Sequence, residues 1–205
     1  MLKKVVFVVL AAMMLSMIAA ANDDGSTSDS STLYSVSYFN NRNNPTGADQ
    51  FMYVINTGYT GTPLSSGEGT LCANIYVFDA VQEMVECCAC PITANALLAL
   101  SVNNSLTANP LTSVAPASGV IALVSTLADG SCDPTKVGTF SPDLKAWATH
   151  LQQPTSGSFV TTEAPFLPAQ LVAAADGAGG EDAFLPQACT FAQYLGTGKG
   201  VCACK

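Results

Sequence analysis

The eight cysteines are the residues of this sequence whose type and spacing could support chemistry. Clustered thiolates bind zinc or copper(I), and the sequence has a CCxC run at residues 87–90 and a CxC unit at residues 202–204. Zinc sites, however, usually combine two pairs of cysteines separated by two residues, and this spacing occurs only once here, between Cys87 and Cys90 of the CCxC run. An even number of cysteines in an exported chain instead favours disulfides. We therefore predict no metal, no cofactor and a disulfide framework formed by Cys72, Cys87, Cys88, Cys90, Cys132, Cys189, Cys202 and Cys204.

The spacing within the CCxC run limits how its cysteines pair. In a strand, Cys88 and Cys90 point to one face and Cys87 to the other, and adjacent cysteines rarely bridge each other because disulfide geometry is narrow. Three bridges should therefore leave this run, or two if Cys72 pairs inside it. The CxC unit at residues 202–204 repeats the spacing of Cys88 and Cys90, so the two units would face each other in a sheet. We favour bridges from Cys88 and Cys90 to Cys202 and Cys204, although spacing alone does not settle the pairing.

Candidate catalytic residues are few. His150 is the only histidine and would have to be the base of any hydrolase, but the GxSxG motif of serine hydrolases is absent, and nothing local supports a Cys–His pair. Asp79, Glu83 and Glu86 could supply the two carboxylates of a glycosidase, although around a turn they are more simply solvated charges. We predict that the protein is not an enzyme; a hydrolase using His150 is the third hypothesis for its function.

Residues 1–21 have the three parts of a secretory signal. Lys3 and Lys4 form the positive start, an apolar run follows, and alanines at residues 19–21 form the small-residue cleavage site. We predict export and cleavage, no membrane span afterwards, and a secreted protein that is extracellular, held on a bacterial cell surface or periplasmic. Cleavage leaves 5 basic and 15 acidic residues, a formal charge of −10, which argues against nucleic acid as a partner.

Residues 71–102 hold the densest β-forming segment of the chain. Residues 71–78 are rich in β-branched and aromatic residues, and only Asn74 interrupts two otherwise apolar faces. Both faces should therefore be covered, as in a central strand. The turn and two further strands of this segment are expected at residues 79–82, 84–90 and 96–102.

Residues 144–152 are ambiguous between helix and strand. Ser141, Pro142 and Asp143 would suit a helix start, but the alternation of the following residues favours a strand, and we predict a hairpin with residues 158–163. Other strands are expected at residues 33–39, 51–56 and 119–127.

The last forty residues differ in composition from the strands. Proline near the start and glycine just past the end indicate two short helices, at residues 169–176 and 187–195. The predicted fold is mainly β, an antiparallel, immunoglobulin-like β-sandwich with two short C-terminal helices, stapled by disulfides. It forms one domain over residues 33–205, preceded by a disordered polar leader at residues 22–32.

The strand at residues 33–39 is the candidate assembly element. Tyr34, Val36 and Tyr38 alternate there with serines, at the end of the polar leader. Its ordinary role is the first strand of the domain's own sheet; the alternative is insertion into a neighbouring subunit, as in secreted fibres built by strand addition. The export signal, the bridges and the sparse charge predict a non-enzymatic structural or interaction protein. It would be a surface, matrix or filament subunit that associates with itself or with other surface proteins through this strand.

The alternative function is a secreted module that binds a carbohydrate or another small ligand. Its stacking platforms would be aromatic side chains, with Trp147, Tyr53, Tyr59 and Tyr76 as the candidates.

The sequence also resembles a family of secreted, cysteine-rich bacterial proteins that carry no assigned function. The matching elements are residues 75–79 (IYVFD), Gln82-Glu83, residues 87–91 (CCACP), residues 100–102 (LSV) and the C-terminal CxC unit, together with residues 147–150 (WATH). The resemblance covers most of the chain that follows the signal. It implies secretion and a cysteine framework, and it implies no activity.

Overall fold

The structure is a computed structural model of the 205-residue chain. It describes residues 33–40, 48–58, 69–128, 130–136, 138–152, 159–171 and 180–205. The predicted signal at residues 1–21 and the polar leader at residues 22–32 lie outside the described residues.

The described residues form two antiparallel sheets, one of five strands and one of four. Sheet I has the order β4-β3-β6-β1-β9 and sheet II the order β5-β2-β7-β8. The strands are β1 (Tyr34–Asn40), β2 (Phe51–Asn56), β3 (Leu71–Asp79), β4 (Met84–Ile92), β5 (Leu97–Ser101), β6 (Ser118–Leu127), β7 (Leu144–Gln152), β8 (Val160–Pro165) and β9 (Leu167–Pro168). A π-helical turn spans Val102–Leu106, and an α-helix, α1, spans Glu181–Gly196. The predicted mainly-β antiparallel sandwich is confirmed.

Strand β3 is central, as its composition predicts. It pairs with β4 on one side and with β6 on the other, and its first seven residues are all buried. Asn74, the polar interruption, donates from Nδ2 to the carbonyl oxygen of Val124 (3.1 Å) and to Oγ1 of Thr126 (3.0 Å). A buried amide with such partners avoids the cost of an unsatisfied polar group.

Sheet I is covered on both faces because two separate apolar clusters flank it. The larger cluster fills the space between the sheets and includes Ile75, Met52 and Leu100. The smaller cluster lies beneath α1 and includes Tyr76 and Leu185. Burial of these side chains supplies most of the driving force for folding.

The chain passes from sheet II to sheet I at buried Phe166, between β8 and β9. The backbone N–H of Phe166 donates to the carbonyl of Ala146 (3.0 Å). Leu167 then pairs with Val36 of β1. This crossing joins the two sheets beside β1 and β7.

The C-terminal region contains one of the two predicted helices in a longer form. Helix α1 begins at Glu181 rather than at residue 187 and contains Pro186. Residues 169–171 are not helical, and residues 172–176 of the other predicted helix lie outside the described residues.

Candidate functional site

All eight cysteines lie among the described residues, and each forms a disulfide. The pairs are Cys72–Cys132, Cys87–Cys189, Cys88–Cys202 and Cys90–Cys204, with Cα–Cα separations of 5.2–5.8 Å that suit the bond. Cys88 and Cys90 join the cluster between the sheets, whereas Cys87 joins the cluster beneath α1. The alternation of β4 therefore divides its three bridges between the C-terminal tail and the helix.

Three cysteine sulfurs lie close enough together to resemble a metal site, and the disulfide bonds account for their proximity. The sulfurs of Cys88, Cys90 and Cys204 lie within 4.8 Å of one another. A metal needs thiolates as ligands, and each of these sulfurs is bonded to another cysteine. The absence of a metal or cofactor stays a prediction.

The C-terminal tail protects the exposed edge of β4. The backbone N–H of Cys87 donates to the carbonyl of Gly200 (3.0 Å), and that of Cys202 donates to the carbonyl of Cys87 (3.3 Å). Pro91 lies within β4, which is possible because an edge strand needs fewer ladder hydrogen bonds. Covered edges do not template pairing with other chains.

His150 lies on β7 with its side chain only 4 % exposed. The Tyr38 ring stacks on the imidazole, with 4.2 Å between ring centroids and 15° between planes. The Nδ1 atom is buried without a hydrogen-bond partner in the described part of the chain, and burial lowers the pKa of His150. A general base must reach its substrate, and this geometry does not favour that role.

The candidate assembly strand is part of sheet I. It pairs with β6 along its whole length, from Tyr34 opposite Val124 to Asn40 opposite Ser118. Tyr34 is buried beneath α1 and donates from its hydroxyl to Glu181 (2.8 Å), while Tyr38 is 56 % exposed. This is the ordinary role foreseen for the strand; insertion into a neighbouring subunit stays a prediction.

The outer face of sheet II carries an aromatic cluster. Because side chains alternate along a strand, Met52 and Val54 point into the core while Phe51 and Tyr53 lie on the opposite face. The register places Tyr53 directly opposite Trp147 of β7. We call this surface the aromatic face; it consists of Phe51, Tyr53, Ile55, Leu97, Trp147 and Glu163.

The aromatic face contains a shallow cavity of about 240 Å³, lined by Tyr53, Ile55, Leu97, Trp147 and Glu163. The rings of Phe51 and Tyr53 stack beside it, with 6.0 Å between centroids. Glu163 is exposed on β8 and lies opposite Thr149, next to the Trp147 position. Two aromatic rings and a carboxylate acceptor thus converge on an open surface.

The four aromatic candidates named from the sequence have different outcomes. The structure brings Tyr53 and Trp147 together, as neighbours on adjacent strands. Tyr76 is wrong as a stacking platform, because it is fully buried in the cluster beneath α1 and donates its hydroxyl to the carbonyl of Pro134 (3.0 Å). Tyr59 lies outside the described residues.

Two features of the site region were missed. Glu163 joins the aromatic face only through the register of β7 with β8, for which the sequence has no local pattern. Glu86 was expected to be a solvated charge, and this is wrong: it is fully buried, and its Oε1 accepts from the backbone N–H of Asn109 (2.7 Å) while its Oε2 has no partner among the described residues. Burial raises the pKa of Glu86 to about 7, and the Asn109 hydrogen bond opposes this rise.

Comparisons of the chain with protein-family models, curated proteins and solved structures find no match. The resemblance to secreted cysteine-rich proteins therefore stays a prediction. Among the described residues, no helix is long and apolar enough to cross a membrane. Four disulfides fit an extracellular or other oxidising compartment.

Proposed function

We propose that the protein is a non-enzymatic, exported binding module whose aromatic face holds a neutral carbohydrate. The observation that carries the proposal is the Tyr53–Trp147 pair, which lines the open cavity together with Glu163. Its volume of about 240 Å³ is below the range of roughly 300–1,000 Å³ typical of pockets that enclose drug-sized ligands. It suits a single sugar ring of a longer chain lying on an open surface.

The chemistry of the aromatic face favours a neutral glycan. Aromatic rings present a negative face to which the weakly positive C–H groups of a sugar ring are attracted. The Glu163 carboxylate can accept hydrogen bonds from sugar hydroxyls, and bonds to a charged acceptor are stronger than neutral ones. Acidic glycans are disfavoured because the chain has a formal charge of −8 and Glu163 lies at the cavity.

The position on a sheet supports this role. Tyr53 and Trp147 stand on paired strands whose opposite face packs into the core through Met52, Val54 and Ala148. A rigid sheet holds the two rings in place before binding, which reduces the entropy lost on complex formation.

Retention of the oxidised protein on cellulose, chitin and xylan tests the proposal. Truncation of one aromatic side chain removes a contact of about 0.5–1.5 kcal/mol, so Trp147→Ala and Tyr53→Ala should each raise the Kd for the retaining polysaccharide by a factor of about 2–12. Trp147→Phe keeps a flat ring and should lose less.

Val160→Ser is the matched control. Val160 is 52 % exposed at the far end of the same β7–β8 hairpin, so its replacement should leave retention unchanged. Calorimetry without reductant should show that each variant is folded. Absence of retention on all three polysaccharides, or equal retention by the wild type and Trp147→Ala, would refute the proposal.

Assembly through β1 is not favoured by the contacts of that strand. Leaving sheet I would expose the paired edge of β6 and remove Phe39 from the core between the sheets. Deletion of residues 22–40 should therefore destabilise the domain.

A further inference from the structure

Helix α1 buries Leu185 together with small residues and exposes its other large apolar side chains. One stripe packs on sheet I and consists of Leu185, Cys189, Ala192 and Gly196. The neighbouring stripe is exposed to 54 %, 61 %, 80 % and 51 % at Phe184, Phe191, Tyr194 and Leu195, respectively. Surface helices normally place charged or polar residues on the side away from the core. Large exposed apolar patches mark interaction sites.

Two grooves flank this exposed stripe. The first, of about 630 Å³, separates α1 from the β3–β4 hairpin and is lined by Phe78, Met84, Leu111, Phe184 and Phe191. The second, of about 540 Å³, lies on the other flank and is lined by Thr135, Pro186, Phe191 and Tyr194. Phe191 lines both grooves and therefore forms a ridge between them.

We propose that the exposed stripe of α1 and its two grooves form the interface with a second copy of the chain. The two copies would pack α1 against α1 about a two-fold axis. A two-fold interface requires a surface that is complementary to itself. A ridge with a groove on each side meets that requirement, because the ridge of each helix enters a groove of the other.

The exposed area is in the range that a dimer needs. A Phe or Tyr side chain buries about 150–250 Å², so the exposed parts of Phe184, Phe191 and Tyr194 offer roughly 400 Å². A standard interface buries about 800 Å² per partner. Three side chains thus supply about half of one partner's share before Leu195 and the groove walls are counted.

The charges around α1 favour a second copy over a membrane surface. Residues 183–198 contain no charged side chain, so the helix of one copy brings no charge against the helix of the other. In an antiparallel pair, Asp182 at the start of one helix lies towards the end of the other, which Lys199 follows. An anionic lipid surface would instead meet Glu83, Glu181 and Asp182 around the same face, with like-charge repulsion.

Sedimentation equilibrium of the oxidised protein tests the pairing over a range of concentrations. The wild type should dimerise, and Phe191→Ser and Tyr194→Ser should each weaken the dimer at least about tenfold, since both remove interface aromatics. Val160 lies on sheet II and is exposed to a similar extent as Phe191, so Val160→Ser should not change the dimer constant. A wild type that stays monomeric, or equal dimer constants for Phe191→Ser and Val160→Ser, would overturn the proposal.

Zero-length carbodiimide coupling of the wild type provides a measurement that needs no variant. The expected product joins Lys199 of one copy to Asp182 or Glu181 of the other. Intermolecular products that join only other surfaces would overturn the α1 packing. The aromatic face lies on sheet II and α1 covers sheet I, so failure of either proposal leaves the other standing.

Discussion

Glu86 should make the folded protein more stable in mild acid than in mild base. Its side chain is fully buried, and no basic side chain is paired with it in the described part of the chain; its one hydrogen bond comes from the backbone of Asn109. Burial penalises the ionised form and raises the pKa from 4.5 to about 7. This difference corresponds to about 3 kcal/mol of unfolding free energy.

The direction follows from which state releases its proton first. Below about pH 4.5 Glu86 is protonated in both the folded and the unfolded chain, and its contribution is fully present. As the pH rises towards about 7, the unfolded chain ionises while the folded chain keeps the proton, so stability falls. Above about pH 7 the folded chain ionises as well, and the loss stays constant at about 3 kcal/mol.

Glu86→Gln removes this titration and keeps an oxygen acceptor for Asn109. The test is calorimetry without reductant at about pH 4.5, 6 and 8. Across this range the Tm of the wild type should fall by about 6–12 °C relative to that of Glu86→Gln, because 1 kcal/mol shifts Tm by about 2–4 °C in a chain of this size. At about pH 8 the variant should be the more stable protein.

Glu83→Gln is the control for this experiment, because Glu83 is an exposed carboxylate only three residues away. Its pH profile should follow that of the wild type. Parallel profiles for the wild type and Glu86→Gln would refute the argument that burial of this carboxyl costs free energy.

Two further predictions concern packing and covalent links. In Gly119→Ala the new Cβ would lie 1.9 Å from the carbonyl oxygen of Phe78 and 2.9 Å from the Phe39 ring. Because paired strands cannot separate freely, we expect the free energy of unfolding to fall by at least about 1–3 kcal/mol and the Tm to fall with it. An unchanged Tm would contradict the close approach. Joint replacement of Cys90 and Cys204 by serine opens a bridge with a sequence separation of 114 residues and should cost about 2–5 kcal/mol. Calorimetry without reductant measures this loss, and a Tm equal to that of the wild type would show that the bridge does not stabilise the fold.

The strands were predictable because their local patterns are strong. Residues 51–56 are rich in aromatic and β-branched residues and form β2 within the predicted bounds, and the apolar run at residues 71–78 forms the central strand β3. The ambiguous residues 144–152 form β7, where alternation outweighs the helix-start pattern at residues 141–143. Period-two patterns are read from neighbouring residues alone, so they need no knowledge of the fold.

The burial of Glu86 was not predictable because it depends on a distant segment of the chain: the backbone N–H of Asn109 donates to its Oε1. The register of β3 with β4 shifts between Val77 and Phe78, which pair with Glu86 and Met84. The extra residue in β4 is Val85, and both Val85 and Glu86 are buried. Because sheet I is covered on both faces, neighbouring side chains of β4 are buried whichever face they point to, and the local sequence does not show which segments provide that cover.

The sequence also predicted the start of α1 too late in the chain. Proline is most common at the first helical position, so Pro186 indicated a helix that begins near residue 187. The structure continues the helix back to Glu181 and Asp182, whose carboxylates interact favourably with the positive helix N-terminus. Packing of Leu185 and Cys189 on sheet I outweighs the cost of an internal proline.

The site was predictable in composition and not in arrangement. Trp147 and Tyr53 were identified as candidates from residue type, but only the β2–β7 register makes them neighbours. Tyr76 has the same chemistry and lies on the face of β3 that α1 covers. Tyr76 is therefore a core residue rather than a stacking platform because α1 covers it, and α1 comes from a segment more than a hundred residues later in the chain.

The positions of α1 and of the aromatic face determine how the two proposed surfaces would act together. Sheet I is covered on its outer side by α1, whereas the outer side of sheet II carries the aromatic face. A dimer joined through α1 would therefore leave both aromatic faces free and on opposite sides of the assembly. When one face is bound to a polysaccharide, the second is held close to neighbouring chains at a high effective concentration. Pairing of the helices would in this way convert a weak single-ring contact into bivalent attachment, with no change in the aromatic face itself.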